Sequence, residues 1–427
     1  MFQIKAADIH NFRGIEELQL ELHPGINLIK GENGTGKTSI LEAIASGLGG
    51  FVSGCSDKVV FSRYIGVDDI RENITEAGDG SLQYQFCTPV SVELTAETDQ
   101  GVLSWKLERA SAKNTRSTIQ PRDIVEYAAG FMDGRQEEPL PLLTLLGAGR
   151  VWESKRARAV SPFTRSQKRN IGYLDSLIDA SDMKLFSDWC LRMEQISWQK
   201  GMDIAEYQAV MKGIGHFLDL VDQKEDGYYR LYFDKLSEEI VLCEGESTLT
   251  RLSALSSGFQ SLIIIASEIA FRMALLNPHL RESVLTGTSG VVLIDEIDMH
   301  LHPRWQWTIL PALRKVFPQI QFIAATHAPI LFASIQDAWL IDVESEPVKY
   351  STSHFGLDVN EALSTYQDTT EYYPEIKSIV NDISDAMDRE DYRNAESGLK
   401  NLIEMTGENT PVVTALQTRL YLEKSAV

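Results

Sequence analysis

The stretch GINLIKGENGTGKT, residues 25–38, decides the fold of this chain. An apolar strand pattern at 25–30 runs directly into G-x-x-x-x-G-K-T, and the helical pattern SILEAI follows at 39–44. In this context the glycines let backbone N–H groups converge on phosphate oxygens, and the helix N-terminus adds the positive end of its dipole. We therefore predict a P-loop that binds a nucleoside triphosphate.

The residues of this loop have different predicted roles. Lys37 is expected to reach the β and γ phosphates, and Thr38 to supply a hydroxyl to Mg²⁺. The other predicted nucleotide contacts are Asn33, Gly34, Thr35, Gly36 and Ser39. A glycine-rich turn that merely caps a helix is the alternative, and the strand and helix on either side argue against it.

A second stretch, GVVLIDEIDMHLHP at 290–303, carries the acids that such a loop requires. Its apolar run at 291–294 is typical of a strand buried on both faces of a parallel sheet. Asp295 at the end of that strand is predicted to hold Mg²⁺, and Glu296 to take the proton from an attacking water. Two acids that simply begin a loop are the alternative.

Two further elements complete the predicted site. The apolar strand pattern at 321–325 ends in Thr326 and His327, where a histidine can hydrogen-bond a γ-phosphate oxygen and the attacking water, so His327 is predicted to be catalytic. The sequence LSSGFQS at 255–261 precedes an apolar helix. Its three predicted nucleotide contacts are Ser256, Ser257 and Gly258. Hydroxyl and N–H groups at a helix N-terminus suit an anion, although Ser and Gly also cap many helices.

In this order the four motifs resemble the ABC-type ATPase heads of the RecF, SMC and OLD group. The resemblance implies an α/β head with a mixed sheet, in which two heads sandwich two ATP molecules. It implies that the signature serines face the γ-phosphate bound by the partner's P-loop. It also implies that Arg13, in the motif NFRG at 11–14, lies near the phosphates, with a surface turn as the alternative.

The chain departs from that family at three places. Ser257 replaces the first glycine of the usual signature LSGGQ, and Phe259 replaces its glutamine. No glutamine can be assigned to the Q-loop. Counting from Glu296, His302 falls where these heads place the aspartate of the D-loop; a transition-metal site at His300 and His302 would need more ligands than the sequence offers there.

The spacing of the motifs predicts four segments. Residues 1–102 form the N-terminal half of the head with the P-loop, and 103–230 form a mostly helical insertion lobe. Residues 231–357 form the C-terminal half of the head, and 358–427 an acidic helical tail for oligomerisation or partner docking. The tail pattern predicts helices at about 371–388, at about 391–405 and after 411. A sustained heptad repeat, which would predict an SMC-type coiled coil, does not occur.

Charge and composition limit the partners. The formal net charge of −21 argues against bulk affinity for nucleic acid, which needs Lys and Arg to neutralise phosphates. Residues 150–169 are the exception, with one acid, Glu153, against a run of basic residues. These are Arg150, Lys155, Arg156, Arg158, Arg165, Lys168 and Arg169. This segment is the best candidate for contacting DNA or an acidic partner, and a solvated loop is the alternative.

The four cysteines are far apart in the chain, and no apolar run is long enough to cross a bilayer. We therefore expect a cytoplasmic protein with no membrane contact.

Several stretches narrow the resemblance further. GVVLIDEIDMHLHPRWQ, FPQIQFIAATHAP and the DTT and GENTP sequences of the tail together resemble the ATPases encoded beside a small HNH nuclease in bacterial anti-phage loci of the Septu type. The resemblance implies an oligomeric ATPase with ATP and Mg²⁺ as cofactors, which holds the nuclease and controls DNA cleavage. The alternatives are a RecF-like repair or recombination ATPase acting directly on DNA, and a nucleotide sensor with negligible hydrolysis.

Overall fold

The computed structural model describes residues 1–57, 59–76, 81–133, 137–151, 163, 168–178, 183–246, 248–367, 372–408 and 410–426. The chain divides into two compact units, Met1–Gly356 and Leu357–Val427.

The first unit contains the sixteen strands found among the described residues and nine of the helices. The strands are β1 (Phe2–Phe12), β2 (Ile15–Glu21), β3 (Ile26–Lys30), β4 (Glu72–Glu76), β5 (Leu82–Phe86), β6 (Val90–Thr98), β7 (Gly101–Arg109), β8 (Thr118–Gln120), β9 (Leu142–Leu146), β10 (Tyr229–Asp234), β11 (Glu239–Glu244), β12 (Thr248–Arg251), β13 (Gly290–Ile294), β14 (Ile320–Ala325), β15 (Ala338–Asp342) and β16 (Lys349–Thr352). The helices are α1 (Lys37–Gly54), α2 (Asp123–Asp133), α3 (Met183–Lys200), α4 (Ala205–Asp222), α5 (Ser257–Leu276), α6 (Val284–Gly287), α7 (Pro303–Gln306), α8 (Ile309–Val316) and α9 (Pro329–Ala333).

A six-stranded sheet forms the centre of this unit, in the order β16-β15-β3-β14-β13-β9. Its five strands from β15 to β9 run parallel, and β16 adds an antiparallel edge. Strands β9, β13 and β14 are buried at every residue, as expected for a parallel sheet covered on both faces. The loops that follow β3, β13 and β14 therefore meet at one edge of the sheet.

A second, antiparallel sheet has the order β2-β1-β6-β7-β8, and α1 contacts strands of both sheets. Close approach of α1 to this sheet depends on glycine: a Cβ at Gly47 would lie 2.6 Å from Leu94, and one at Gly50 would lie 2.7 Å from Trp105. The indole N–H of Trp105 donates to the Gly47 carbonyl at 2.8 Å. This packing fixes the helix that begins at the P-loop lysine.

The apolar helix α5 is a core helix of the unit. Among the described residues it is the one helix long and apolar enough to cross a membrane, but 89% of its apolar window is buried. Its buried ion pair joins Arg272 to Glu268 at 2.7 Å, and Arg272 also donates to the carbonyls of Gly172 and Leu174. A buried charge is tolerated where a partner and hydrogen bonds compensate it, as they do here.

The predicted helical lobe at 103–230 requires correction. It does contain α2, α3 and α4, but β7 and β8 belong to the antiparallel sheet, and β9 is an edge strand of the parallel sheet. Short apolar runs such as LLTLL at 142–146 do not distinguish a buried strand from a helix by periodicity. Residues 103–230 therefore contribute strands to both sheets of the head and are not a separate helical lobe.

The second unit contains α10 (Val359–Gln367), α11 (Pro374–Asp388), α12 (Tyr392–Thr406) and α13 (Pro411–Ala426). The last three correspond to the helices predicted in the tail. They pack around a core of their own, formed by Ile383, Met387, Ala395, Leu399, Leu402, Val413, Leu416 and Leu420.

Candidate nucleotide-binding site

The P-loop joins β3 to α1 through two glycines in the left-handed region, Gly34 (φ 90°) and Gly36 (φ 89°), which other residues rarely adopt. The Lys37 ammonium donates to the carbonyls of Gly31 and Glu32 at 2.7 and 2.8 Å, and the Thr35 hydroxyl donates to the Glu32 carbonyl at 2.9 Å. The loop is therefore curled around its own lysine, in the arrangement that a phosphate cradle needs.

The charge of Lys37 is balanced by acids. Burial lowers the pKa of Lys37, and the opposing attraction comes first from Asp295 and then from Glu344, Glu296 and Asp298. The Glu344 carboxylate also accepts a hydrogen bond from the backbone N–H of Glu32. Acids from two separate loops thus converge on the P-loop lysine.

Asp295 reaches the P-loop helix from the end of β13. Its carboxylate accepts a 2.8 Å hydrogen bond from the Thr38 hydroxyl, and the side chain is buried. Burial raises the pKa of Asp295, and the neighbouring Glu296 raises it further, while the Thr38 hydrogen bond and Arg150 lower it. A carboxylate beside a hydroxyl is a donor set of hard oxygens that suits Mg²⁺, and such a cation would offset the cost of the buried charge.

Glu296 follows in a left-handed conformation with φ 43°, which is uncommon for a residue with a side chain. The guanidinium of Arg150 donates to the carbonyl of Asp295 at 2.8 Å and to that of Glu296 at 2.9 Å. This contact could not be predicted from the sequence, because Arg150 stands at the start of a basic run and its partners are backbone atoms remote in the chain.

The predicted basic segment at 150–169 is therefore wrong at its first residue, Arg150. Arg150 is fully buried, since its exposed fraction is 1%. The Arg169 guanidinium donates to the carbonyls of Phe131 and Glu138 at 2.8 and 2.6 Å, so it too has a structural role. Lys168 is exposed. The remaining basic residues of this segment, Lys155, Arg156, Arg158 and Arg165, lie outside the described residues.

His327 lies at the same edge of the sheet, two residues beyond the end of β14. The neighbouring Thr326 hydroxyl hydrogen-bonds Asp298, and the backbone N–H of Ile297 donates to the carbonyl of Ala325 at 3.1 Å. The end of β14 is thus fastened to the loop that follows the acids. Because β14 pairs with both β3 and β13, this loop lies between the P-loop and Asp295.

The signature sequence begins α5. Ser256 is the N-cap, and its hydroxyl accepts from the backbone N–H of Phe259 at 3.4 Å. A Cβ at Gly258 would lie 2.8 Å from the carbonyl of His300 and 3.0 Å from the ring of Trp305. Phe259, which departs from the family signature, packs edge-on against Trp305 with ring centroids 4.8 Å apart. The start of α5 is therefore in direct contact with the loop that follows the acids.

Arg13 lies beside the P-loop helix and is held by carboxylates. Its guanidinium pairs with Asp69 at 3.0 Å and with Glu42, which lies one turn after Thr38 on α1. Burial opposes the charge of Arg13, but Glu42 and Asp69 outweigh burial and raise its pKa. A phosphate contact by Arg13 stays a prediction and would compete with these two pairs.

His302 has a local structural role. Its Nδ1 accepts from the backbone N–H of Arg304 at 3.2 Å and so caps α7. The one group with metal-like spacing in the described part of the chain is His216, Asp219 and Asp226, which includes neither His300 nor His302.

The fold and these contacts define a P-loop nucleotide-binding head of mixed α/β structure, with the loop, the acids and the histidine at one edge of a parallel sheet. The family model for the AAA domain matches residues 8–246, more than half of the chain, and a second AAA domain model matches residues 193–333. The chain belongs to the AAA domain family.

Several curated proteins resemble this chain. It is 26% identical to the "Retron Ec83 probable ATPase" of Escherichia coli over 79% of this chain and 72% of that protein. It is 24% identical to the Septu protein PtuA of Bacillus thuringiensis, over 82% and 78% of the two chains. The match to the PtuA of Bacillus mycoides has 25% identity over 78% of this chain, which spans 39% of that relative. The predicted resemblance to Septu ATPases is confirmed.

Solved SMC head domains also align with this chain. The SmcHead bound to the C-winged helix domain of ScpA covers 84% of this chain and 99% of its own, with 15% identity and a TM-score of 0.49. The predicted α/β head with a mixed sheet is confirmed by the sheet order and the AAA domain match.

Proposed function

We propose that this chain binds ATP with Mg²⁺ and hydrolyses it. The observation that carries the proposal is that the buried carboxylate of Asp295 lies beside the start of the P-loop helix. It accepts a 2.8 Å hydrogen bond from the Thr38 hydroxyl and attracts the Lys37 ammonium. Lysine, hydroxyl and carboxylate at the N-terminus of one helix are the groups that a P-loop site requires.

In this proposal each side chain has one role. Lys37 leaves the carbonyls of Gly31 and Glu32 to neutralise phosphate charge, and Thr38 and Asp295 hold the cation. Mg²⁺, when bound, neutralises charge on the phosphate oxygens. Glu296 accepts the proton of the attacking water, and His327 hydrogen-bonds a γ-phosphate oxygen and that water. The other predicted contacts, Asn33 to Gly36 and Ser39, belong to the same loop and first helical turn.

The test of hydrolysis compares Glu296→Gln with Glu282→Gln, a matched change at an exposed glutamate. Loss of a general base predicts that Glu296→Gln slows ATP turnover by about 10²- to 10⁴-fold while ATP binding is retained. Phosphate release and equilibrium binding measure the two effects. Tight ATP binding by the wild-type protein with negligible turnover would instead support the nucleotide sensor, and equal turnover in both variants would remove Glu296 from the mechanism.

We further propose that two copies share the site, with Ser256, Ser257 and Gly258 of one copy facing the nucleotide of the other. The support is the position of these residues at the N-terminus of α5, where N–H groups and hydroxyls suit an anion. The likeness to ABC-type heads implies the same arrangement.

The relatives suggest a place in anti-phage defence. We propose that the oligomer holds an HNH nuclease and that nucleotide occupancy controls DNA cleavage, as the resemblance to Septu ATPases implies. The charge of −21 favours this arrangement over a RecF-like ATPase that binds DNA by itself. Copurification of the chain with the products of neighbouring genes tests the proposal: an HNH protein in the complex supports it, and DNA-stimulated ATP turnover by the isolated chain supports the RecF-like alternative.

A further inference from the structure

We propose that Arg150 is a positioning residue that fixes the backbone on both sides of Glu296 for hydrolysis and ties this backbone to the signature helix α5. The inference rests on the proposed ATPase function and adds to it a residue that no motif contains.

The contacts of Arg150 form a fork around Glu296. One terminal nitrogen donates to the carbonyl of Asp295 at 2.8 Å, and the other donates to the carbonyl of Glu296 at 2.9 Å. These two carbonyls belong to the peptide planes before and after the Glu296 Cα, so together they set the φ and ψ of that residue. A planar guanidinium holds two acceptors at a fixed spacing and angle, which an ammonium cannot do.

The backbone that Arg150 holds is strained. Glu296 has φ 43°, and a non-glycine residue stays in that region only where its surroundings determine it. Arg150 is itself buried, with an exposed fraction of 1%. Burying a guanidinium is costly unless its donors are satisfied. A costly group that restrains a strained backbone at the predicted general base points to a positioning role.

The same guanidinium also reaches α5. Its Nε donates to the hydroxyl of Ser261 at 3.0 Å, and Ser261 is fully buried one turn beyond Ser257. The close packing of Gly258 against the carbonyl of His300 is a second link between the start of α5 and the loop after Glu296. A shift of the signature at its proposed dimer contact would therefore be transmitted to the backbone of the general base.

Two substitutions test this role in the full-length protein. Arg150→Lys keeps the positive charge and loses the fork, so we expect kcat to fall by about 10- to 100-fold with ATP affinity retained. Ser261→Ala removes only the link to α5, and we expect a fall of about 3- to 10-fold. Arg169→Lys is the matched control, because Arg169 also donates to two carbonyls, those of Phe131 and Glu138, and should leave kcat unchanged.

A double-mutant cycle with Glu296→Gln separates positioning from general stability. If Arg150 acts through Glu296, the double variant that carries both Arg150→Lys and Glu296→Gln hydrolyses ATP no more slowly than Glu296→Gln alone. If Arg150→Lys does not fold, Ser261→Ala in the same cycle decides the question. Any of three results would overturn the inference. These are additive losses of kcat in the double variant, an unchanged kcat in Ser261→Ala, and a loss of ATP affinity in Arg150→Lys that parallels its loss of kcat. Failure of the wild-type protein to bind ATP would instead overturn the proposed function itself.

Discussion

The hydroxyl of Thr38 donates to the carboxylate of Asp295 across 2.8 Å, although the two residues are 257 positions apart in the chain. The fold makes this contact by placing β13 two strands from β3 in a parallel sheet and fastening α1 against it. The fold itself therefore brings together the two oxygen atoms that we propose as cation ligands. Such preorganisation removes part of the cost of assembling the site.

Asp295→Asn is expected to stabilise the protein without nucleotide and to remove its response to Mg²⁺. Burial raises the pKa of Asp295, so the charged form is disfavoured in the folded state. The stability from this group is present below the unfolded pKa of about 4 and is lost as the pH rises through the folded pKa. At pH 7 the substitution should raise the Tm by roughly 2–4 °C, measured by thermal unfolding with and without Mg-ATP.

The control for this prediction is Asp342→Asn, which changes an acid paired with Lys30 at 3.3 Å and should retain the stabilisation by Mg-ATP. A lower Tm of Asp295→Asn at pH 7, or an undiminished response to Mg-ATP, would contradict the assignment of Asp295 as the cation ligand.

Gly258→Ala should impair hydrolysis through a steric effect. The new methyl would lie 2.8 Å from the carbonyl of His300 and 3.0 Å from Trp305, so the loop after the acids must move. Overpacking of this kind costs about 1–3 kcal/mol, which we expect in the free energy of unfolding, together with slower ATP turnover. Gly287→Ala, whose nearest neighbours are flexible side-chain atoms of Leu280 and Ser283, is the control. Equal ATP turnover in the two variants would show that the packing of α5 against the loop after the acids does not affect hydrolysis.

Mixing two inactive variants tests the shared site. Lys37→Ala disables the P-loop, and Ser257→Arg should block the signature. In a mixed dimer one site has an intact P-loop from one copy and an intact signature from the other. Random mixing should therefore restore about a quarter of the wild-type ATP turnover, because about half of the dimers are mixed and each has one working site. If the mixture stays inactive while mixed dimers form, the signature does not act across copies.

Leu402→Ala should unfold the C-terminal unit and leave ATP binding intact. Leu402 is fully buried in the helical core of that unit, and such a truncation costs about 2–5 kcal/mol, a large share of the stability of so small a unit. Limited proteolysis measures whether the C-terminal unit is folded, and light scattering measures the oligomeric state. Leu422→Ala, at a side chain that is 61% exposed, is the control. Unchanged oligomers with a cleaved tail would show that the tail does not mediate assembly.

The sequence predicted those parts of the site whose signals are local. The P-loop lies in one stretch of strand, turn and helix, and Asp295 ends a continuous apolar strand, so neither required knowledge of distant contacts. Arg150 could not be predicted, because its burial depends on carbonyls at 295 and 296 and on Ser261. The strand β9 was missed for a related reason: an apolar run becomes a strand here by pairing with β13, far away in the chain.

Equilibrium binding of Mg-ATP to the Lys37→Ala variant tests the central claim most directly. Lys30→Ala is the matched control, since Lys30 ends the same strand but pairs with Asp342. Loss of charge-assisted hydrogen bonds to phosphate predicts that Lys37→Ala weakens ATP binding by about 100-fold, while Lys30→Ala stays within about twofold of the wild-type protein. Wild-type affinity in the Lys37→Ala variant would contradict the assignment of this loop as the nucleotide site.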